Sequence, residues 1–342
     1  MNNLSHLNID EVELICELIE SMKHIYSMEK SAGLVSEKTQ NEYVKEAQRI
    51  LKKRKDNGDS LSKSVNSTTK KSTFFKRISA LKYYLTWIGS TSALTLSEIH
   101  EEDSLHNIKL AIRDIKELRS IIDNGFVGTL EKRESKRNSI KGLPNNWLEM
   151  LCNYNTVSKY REAFQVISLT GCRPSELVKG VQISLSENTK KNSATVEFVI
   201  NGTKISETKG QPIRRIYYDC NTSNELLHAL IETTNLIESN SAIISIESAV
   251  NFTNEIKRIA KILWPKHQEY ITSYSIRHQI ASNFKRHLSG DDVSKVLGHS
   301  SPKTKKTYGS AGQSKGVSPD ITVSSSREIK QPQLSADEFN KN

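Results

Sequence analysis

Residue types that can act together on a phosphate occur in order late in the chain. Tyr274, Arg277 and His278 open one apolar helical pattern, the run Leu297, Gly298, His299 follows the next, and Tyr308 sits near the end of the stretch Thr304–Gly309. Tyr308 is the last tyrosine in the chain. Cutting a phosphodiester with a side chain requires a nucleophile, positive groups on the non-bridging oxygens, and an acid for the departing sugar oxygen. A phenol, with an ordinary pKa of about 10, attacks well only where neighbouring cations favour the phenolate. Arginine suits the electrostatic task because its planar fork holds two phosphate oxygens while staying charged. Lysine can serve as the acid, since its proton is transferable.

Each of these residues alone has a blander reading. An arginine such as Arg173 after a helix is more often an ion-pair partner, Leu297 to His299 is more often a capping turn with Gly298 left-handed, and a tyrosine is more often a half-buried aromatic. It is the ordered set of Arg173, a lysine from a strand region, Arg277, His299 and Tyr308 that points to a tyrosine nucleophile acting on DNA.

Composition sets the frame for that chemistry. With 342 residues and 36% hydrophobic content, the chain has enough for two domains, each with a core. Its net charge of +10 favours a polyanionic partner. No uncharged apolar run approaches the span of a bilayer and the first residues carry no signal pattern, so the expectation is a soluble, cytoplasmic protein with no membrane partner. Cys16, Cys152, Cys172 and Cys220 are far apart and form no CxxC pair, which predicts reduced thiols and neither a disulfide framework nor a zinc site. Ligand spacing for a metal and a GxxxxGK[ST] loop are both missing, so no cofactor is expected.

Taken in order, the chain predicts a mostly α protein with a small antiparallel β-sheet. Residues 1–30 read as an N-terminal helical extension with an acidic face, on Val12, Ile15, Leu18, Ile19 and Met22. Residues 31–127 read as a helical domain, with a polar loop at 60–72 and a basic group of Lys70, Lys71, Lys76 and Arg77 suited to phosphate contacts. Between 128 and 144 the apolar period stops, and Lys132, Arg133, Lys136 and Arg137 make a basic linker that follows a DNA backbone. A second, mixed α/β domain spans 145–310, with alternating strands near Val181–Ser186, Ala194–Ile200 and Ile213–Tyr218. The tail, 311–342, is rich in Ser, Gly, Gln and Pro and reads as extended or disordered.

Residues 145–310 resemble the catalytic domain of the tyrosine recombinases, the phage-integrase family. Thr170 to Leu177 is similar to that family's first arginine box, Arg277 and His278 to its second, Leu297 to His299 to its third motif, and Tyr308 to its nucleophile. The resemblance implies that Arg173 and Arg277 hold the scissile phosphate, that Glu176 buttresses Arg173, that His299 donates a hydrogen bond to the phosphate, and that Tyr308 forms a 3′-phosphotyrosyl link. It implies a general-acid lysine on a turn between strands, where Lys204 fits best and Lys209 is the rival. One position departs from the family: Tyr274 stands where a histidine is usual. A phenol can donate a hydrogen bond to phosphate but does not take up a proton near neutral pH as imidazole does. His278, about 100° around the helix from Arg277, reads as a supporting residue.

The same resemblance makes the helical first half a core-binding domain that closes around the other face of the duplex. It implies a homotetramer on double-stranded DNA target sites, working through a Holliday junction to integrate or excise a mobile element at a prokaryotic nucleoid, with accessory DNA-bending proteins as optional partners. Family members often dock the tail on a neighbouring protomer, and Ile321, Val323, Ile329, Leu334 and Phe339 are its apolar residues here. Type IB topoisomerases and telomere resolvases share the tyrosine and arginine chemistry. A catalytically silent architectural DNA-binding protein would share the fold.

Overall fold

The structure is a computed structural model that describes residues 7–26, 35–99, 102–131, 136–154, 159–188, 193–207, 209–302, 307–315 and 321–330. The chain divides into two compact units, Met1–Arg133 and Glu134–Asn342.

The first unit is all helical among its described residues: α1 (Ile9–Tyr26), α2 (Glu37–Asn57), α3 (Leu61–Asn66), α4 (Lys71–Ile99) and α5 (Glu102–Asn124). Its core takes the apolar stripe of each helix, with Leu18 and Ile25 from α1, Ile50 from α2, Phe74, Ile78, Leu81 and Leu85 from α4, and Ile108, Ile112, Ile115 and Leu118 from α5. The stretch 60–72, expected as a loop, contains α3. Ser60 accepts a hydrogen bond from the Lys63 amide at 3.1 Å, while Leu61 and Val65, one turn apart, are fully buried. A cap and one apolar pair suffice for a short helix that α5 also holds, through Glu117 accepting from the Leu61 amide at 2.8 Å.

The second unit contains α6 (Trp147–Tyr154), α7 (Arg161–Thr170), α8 (Pro174–Lys179), β1 (Val181–Asn188), β2 (Ser193–Asn201), β3 (Ile213–Asp219), α9 (Glu225–Thr233), α10 (Leu236–Ser239), β4 (Ser241–Ile244), α11 (Ala249–Leu263), α12 (Ser273–His287), α13 (Gly290–Val296) and β5 (Ile321–Ser325). The strands form one antiparallel sheet in the order β4-β1-β2-β3-β5. Its apolar face, with Val181, Ile183, Val196, Phe198 and Ile216, joins Trp147, Phe164, Phe252 and Phe284 in a single core. α7 and α12 run through that core and are buried over most of their length. That burial holds side chains on them in fixed rotamers.

Three strands were expected, and two more flank them. The second of these corrects the expectation of an extended or disordered tail. Ile321 and Val323 keep the period of two that a half-buried strand needs, Ile321 pairs with Tyr218 and Val323 with Ile216, and Ile321 and Ile329 are both buried. Ile321 and Val323 are therefore packed into the chain's own sheet and core. Leu334 and Phe339 lie outside the described residues. No helix among the described residues is long and apolar enough to cross a membrane.

Candidate active site

The site begins at the end of α7. Gly171 stops that helix in a left-handed conformation, φ 61°, and Pro174 starts α8 two residues after Cys172. Arg173 is the N-cap between them, and the Glu176 carboxylate reaches back to accept the Arg173 backbone N–H at 2.7 Å. Glu176 also accepts from Arg173 Nη1 at 2.8 Å, and from Arg214 Nη1 and Nη2 at 3.2 and 2.7 Å. Burial pushes this carboxyl up, yet the charge and hydrogen bonds of Arg214, with the Arg173 and Arg277 charges, hold it far below the usual carboxylate range.

Arg214 was not singled out from the sequence. It lies on β3 in phase with Ile216 and Tyr218, which face the core, and it is fully buried. An arginine in the inward phase of a strand was the available signal: such a charge requires a buried partner.

Arg277 sits one turn into α12 and is 1% exposed. Its Nη1 donates to the Gly171 carbonyl at 2.6 Å and its Nη2 to the Leu297 carbonyl, so one side chain ties the first arginine turn to the His299 turn. Gly298 holds the latter turn at φ 66°, and a Cβ there would meet Arg214 Nη1 at 3.0 Å and Arg173 Nη1 at 3.6 Å. Glycine is required by both the backbone and the guanidinium groups beside it.

Tyr308 is half-buried against this cluster. The Arg277 guanidinium carbon lies 5.0 Å from its ring centroid, the His299 ring stacks on it at 5.3 Å, and the His278 ring stands at 5.2 Å. Burial raises the phenol pKa, but the charges and hydrogen bonds of Arg277 and Arg173 outweigh it and leave Tyr308 below its ordinary value. His299 is pushed down to about 2 by burial and by the charges of Arg277, Arg173 and Arg214, so its imidazole is neutral at physiological pH. Neither of its buried ring nitrogens has a hydrogen-bond partner among the described residues. A neutral imidazole carries one donor and one acceptor.

The Tyr308 backbone is held from α12. Lys285 Nζ donates to the carbonyls of Tyr308 and Gly309 at 3.2 and 2.6 Å. Gly309 lies so close to α12 that a Cβ would stand 2.0 Å from Ser282 Oγ and 2.6 Å from the His278 carbonyl.

The arrangement has a definite charge. Three guanidinium groups, Arg173, Arg214 and Arg277, face one carboxylate, Glu176, which leaves two positive charges within the cluster. A phosphodiester and a phenolate carry two negative charges between them.

The other expected residues lie around this centre. Lys204 and Lys209 are both exposed on the connection between β2 and β3. The base of that connection is tied to α8 by Lys179 Nζ donating to the Gly202 carbonyl and by a Ser175–Thr203 hydroxyl pair, each at 2.7 Å. Tyr274 is 41% exposed on the first turn of α12, three residues before Arg277. Arg137 donates to the Thr307 carbonyl at 3.3 Å, next to Tyr308.

In the first unit, Lys70 and Lys71 are exposed, and Lys76, also exposed, lies 3.5 Å from Glu42. Arg77 departs from the expected phosphate contact. It is buried, and its Nη1 donates to the carbonyls of Ser64 and Val65 at 3.2 and 2.9 Å, closing the end of α3. Lys132, Arg133 and the Lys136 side chain lie outside the described residues.

All four cysteines are free, and burial pushes the Cys152 and Cys172 thiols up to about 12 and about 11. Among the described residues no group of three or more His, Cys, Asp or Glu is placed to hold a metal ion.

No protein-family model matches the chain, and no curated protein matches it. Solved structures similar to it include two recombinases. What they share is a name: site-specific recombinase, or recombinase. One is a XerH site-specific recombinase bound to difH substrate in a pre-cleavage complex, 13% identical, with a TM-score of 0.39 over 90% of this chain and 95% of that one. The other is a XerA recombinase, 15% identical, with a TM-score of 0.32 over 87% of this chain and 93% of that one.

Proposed function

We propose that the protein is a site-specific tyrosine recombinase that cuts and rejoins double-stranded DNA through a 3′-phosphotyrosyl intermediate. The observation that carries this reading is the Tyr308 ring set against Arg277 and His299, in a cluster whose two excess positive charges match a phosphodiester and a phenolate.

The phenol loses its proton to solvent, a step that Arg277 and Arg173 favour by lowering its pKa. The phenolate oxygen attacks phosphorus and the bond from phosphorus to the 5′ oxygen breaks. The leaving electron pair stays on that oxygen, which takes a proton from the Lys204 ammonium, with Lys209 as the rival donor. Arg173 and Arg277 neutralise the non-bridging oxygens, Glu176 and Arg214 fix Arg173, and a ring nitrogen of neutral His299 donates to one oxygen. Tyr274, a phenol beside the same helix turn, offers a further donor and no base. Attack by a 5′ hydroxyl on the phosphotyrosyl link reverses the steps and rejoins the strand, so no external energy source enters.

Lys70, Lys71, Lys76 and Arg137, with Lys132, Arg133 and Lys136, contribute sequence-independent contacts to the DNA backbone. A homotetramer on two duplexes, exchanging strands through a Holliday junction to integrate or excise a mobile element, is the setting in which such an enzyme conserves both ends. Accessory DNA-bending proteins would shape that assembly.

The test is covalent trapping. Wild type and Tyr308→Phe are incubated with nicked duplexes from the flanks of the protein's own gene and run on a denaturing gel. An adduct with wild type alone is expected. An adduct that persists in Tyr308→Phe would overturn the assignment.

A further inference from the structure

The loop between β2 and β3 carries both lysines proposed for leaving-group protonation, and its backbone is gripped from a distant part of the chain. Arg327, just past β5, donates through Nη1 to the carbonyls of Ser206, Lys209 and Gly210 at 2.7, 3.3 and 3.3 Å. Gln211, at the end of the same loop, is 1% exposed and bonds three ways. Its Nε2 donates to the His299 carbonyl at 3.1 Å and to the Arg327 carbonyl at 2.9 Å, and its Oε1 accepts the Arg327 amide at 2.9 Å. One residue further round the His299 turn, the Ser300 carbonyl accepts the Lys330 amide at 3.0 Å.

A surface turn normally leaves its carbonyls to water. Here three of them converge on one guanidinium, and a buried amide joins that guanidinium's own backbone to the turn that holds His299. Lys204 and Lys209 have exposed side chains, so their placement depends on the loop backbone beneath them.

We propose that Arg327 and Gln211 are positioning residues that lock the β2–β3 loop and the His299 turn into one register, so that the loop lysine meets the leaving 5′ oxygen. This rests on the strand-transfer reading above. It gives the segment after β5 a function within its own protomer: with the segment in place the acid is aligned, and without it the nucleophile and the arginines remain but the leaving group goes unprotonated.

The experiment separates alignment of the acid from general damage. Single-turnover cleavage is measured for wild type, Arg327→Ala, Gln211→Ala, Lys204→Ala and Lys209→Ala on two nicked duplexes. One has the ordinary bridging 5′ oxygen, and the other has sulfur at that atom. A thiolate is a far weaker base than an alkoxide and leaves without a proton, so a defect confined to the acid disappears on the sulfur substrate. Arg327→Ala is expected to cleave the oxygen substrate on the order of 10²-fold more slowly than wild type and to approach the wild-type rate on sulfur, in the pattern of whichever lysine variant shows the same rescue. Equal losses on both substrates, or no loss on oxygen, would overturn the proposal and leave the strand-transfer reading standing. Wild type inert on both would overturn that reading and the proposal with it.

Discussion

The rings of Tyr308 and His299 lie face to face, with centroids 5.3 Å apart and planes 29° apart. The stack brings the Tyr308 phenol and a neutral imidazole together beside Arg277, and it depends on backbone placement at both ends. Gly298 bends one end and Gly309 lets the other approach α12.

Replacing Gly309 tests that approach. In Gly309→Ala the new methyl would meet Ser282 Oγ and the His278 carbonyl, so the chain must move away and carry Tyr308 with it. Cleavage is expected to fall on the order of 10²-fold, the cost of a displacement near 1 Å at a reacting atom, with DNA binding unchanged in a gel-shift assay. Ser282→Ala in the same chain is not expected to restore activity, because the carbonyl remains.

His299 sets a pH dependence of stability. Its folded pKa of about 2 lies below the ordinary 6.5, so below pH 6.5 the unfolded chain binds the proton that the folded chain refuses. Stability contributed by this group is complete above 6.5 and declines as pH falls toward 2, with a slope approaching about 1.4 kcal/mol per pH unit. The depressed Glu176 acts in the same direction but only below its ordinary 4.5, while Glu149, raised by burial, opposes His299 just above 4.5, so the comparison is made between wild type and the His299 variant. Urea unfolding between pH 6.5 and 4.5 should show a shallower pH slope for His299→Gln than for wild type.

Glu176 is the one carboxylate among three buried guanidinium groups. Glu176→Gln removes its charge and leaves Arg214 fully buried beside two other cations. A loss of about 3–5 kcal/mol in unfolding free energy is expected, the usual cost of breaking one side of a buried pair, together with loss of covalent adduct.

The basic residues of the first unit divide by burial. Lys70→Ala and Lys71→Ala are expected each to reduce the slope of log affinity against log salt by about 0.9, one phosphate contact apiece. Arg77→Ala should instead lower the stability of the first unit, since its guanidinium bonds the Ser64 and Val65 carbonyls. Salt-dependent DNA titration and chemical unfolding distinguish the two outcomes.

Much of this architecture is legible in the residues. The helical stripes, the alternation of β1 to β3, and the order of Arg173, Arg277, His299 and Tyr308 can be read from type and spacing, because amphipathic periods and charged residues beside glycine turns carry their own signals. β5 could not be read so easily: Ile321 and Val323 alternate correctly, but the Ser-rich composition around them favours a solvated chain until Ile216 and Tyr218 are known to lie alongside. β4 is only four residues long. Arg214, Gln211 and Arg327 were missed for a common reason. Each is polar where polar residues ordinarily face water. The inward strand phase of Arg214 signals a buried partner without naming it, and only tertiary pairing shows that Gln211 and Arg327 face one another and the His299 turn.

The residue bonded to DNA can be identified directly. The trapped adduct is digested with nuclease and trypsin, and the nucleotide-bearing peptide is sequenced by mass spectrometry. The expected product is the peptide Thr307–Lys315 with the nucleotide on Tyr308. A nucleotide carried by any other residue would contradict the assignment of Tyr308.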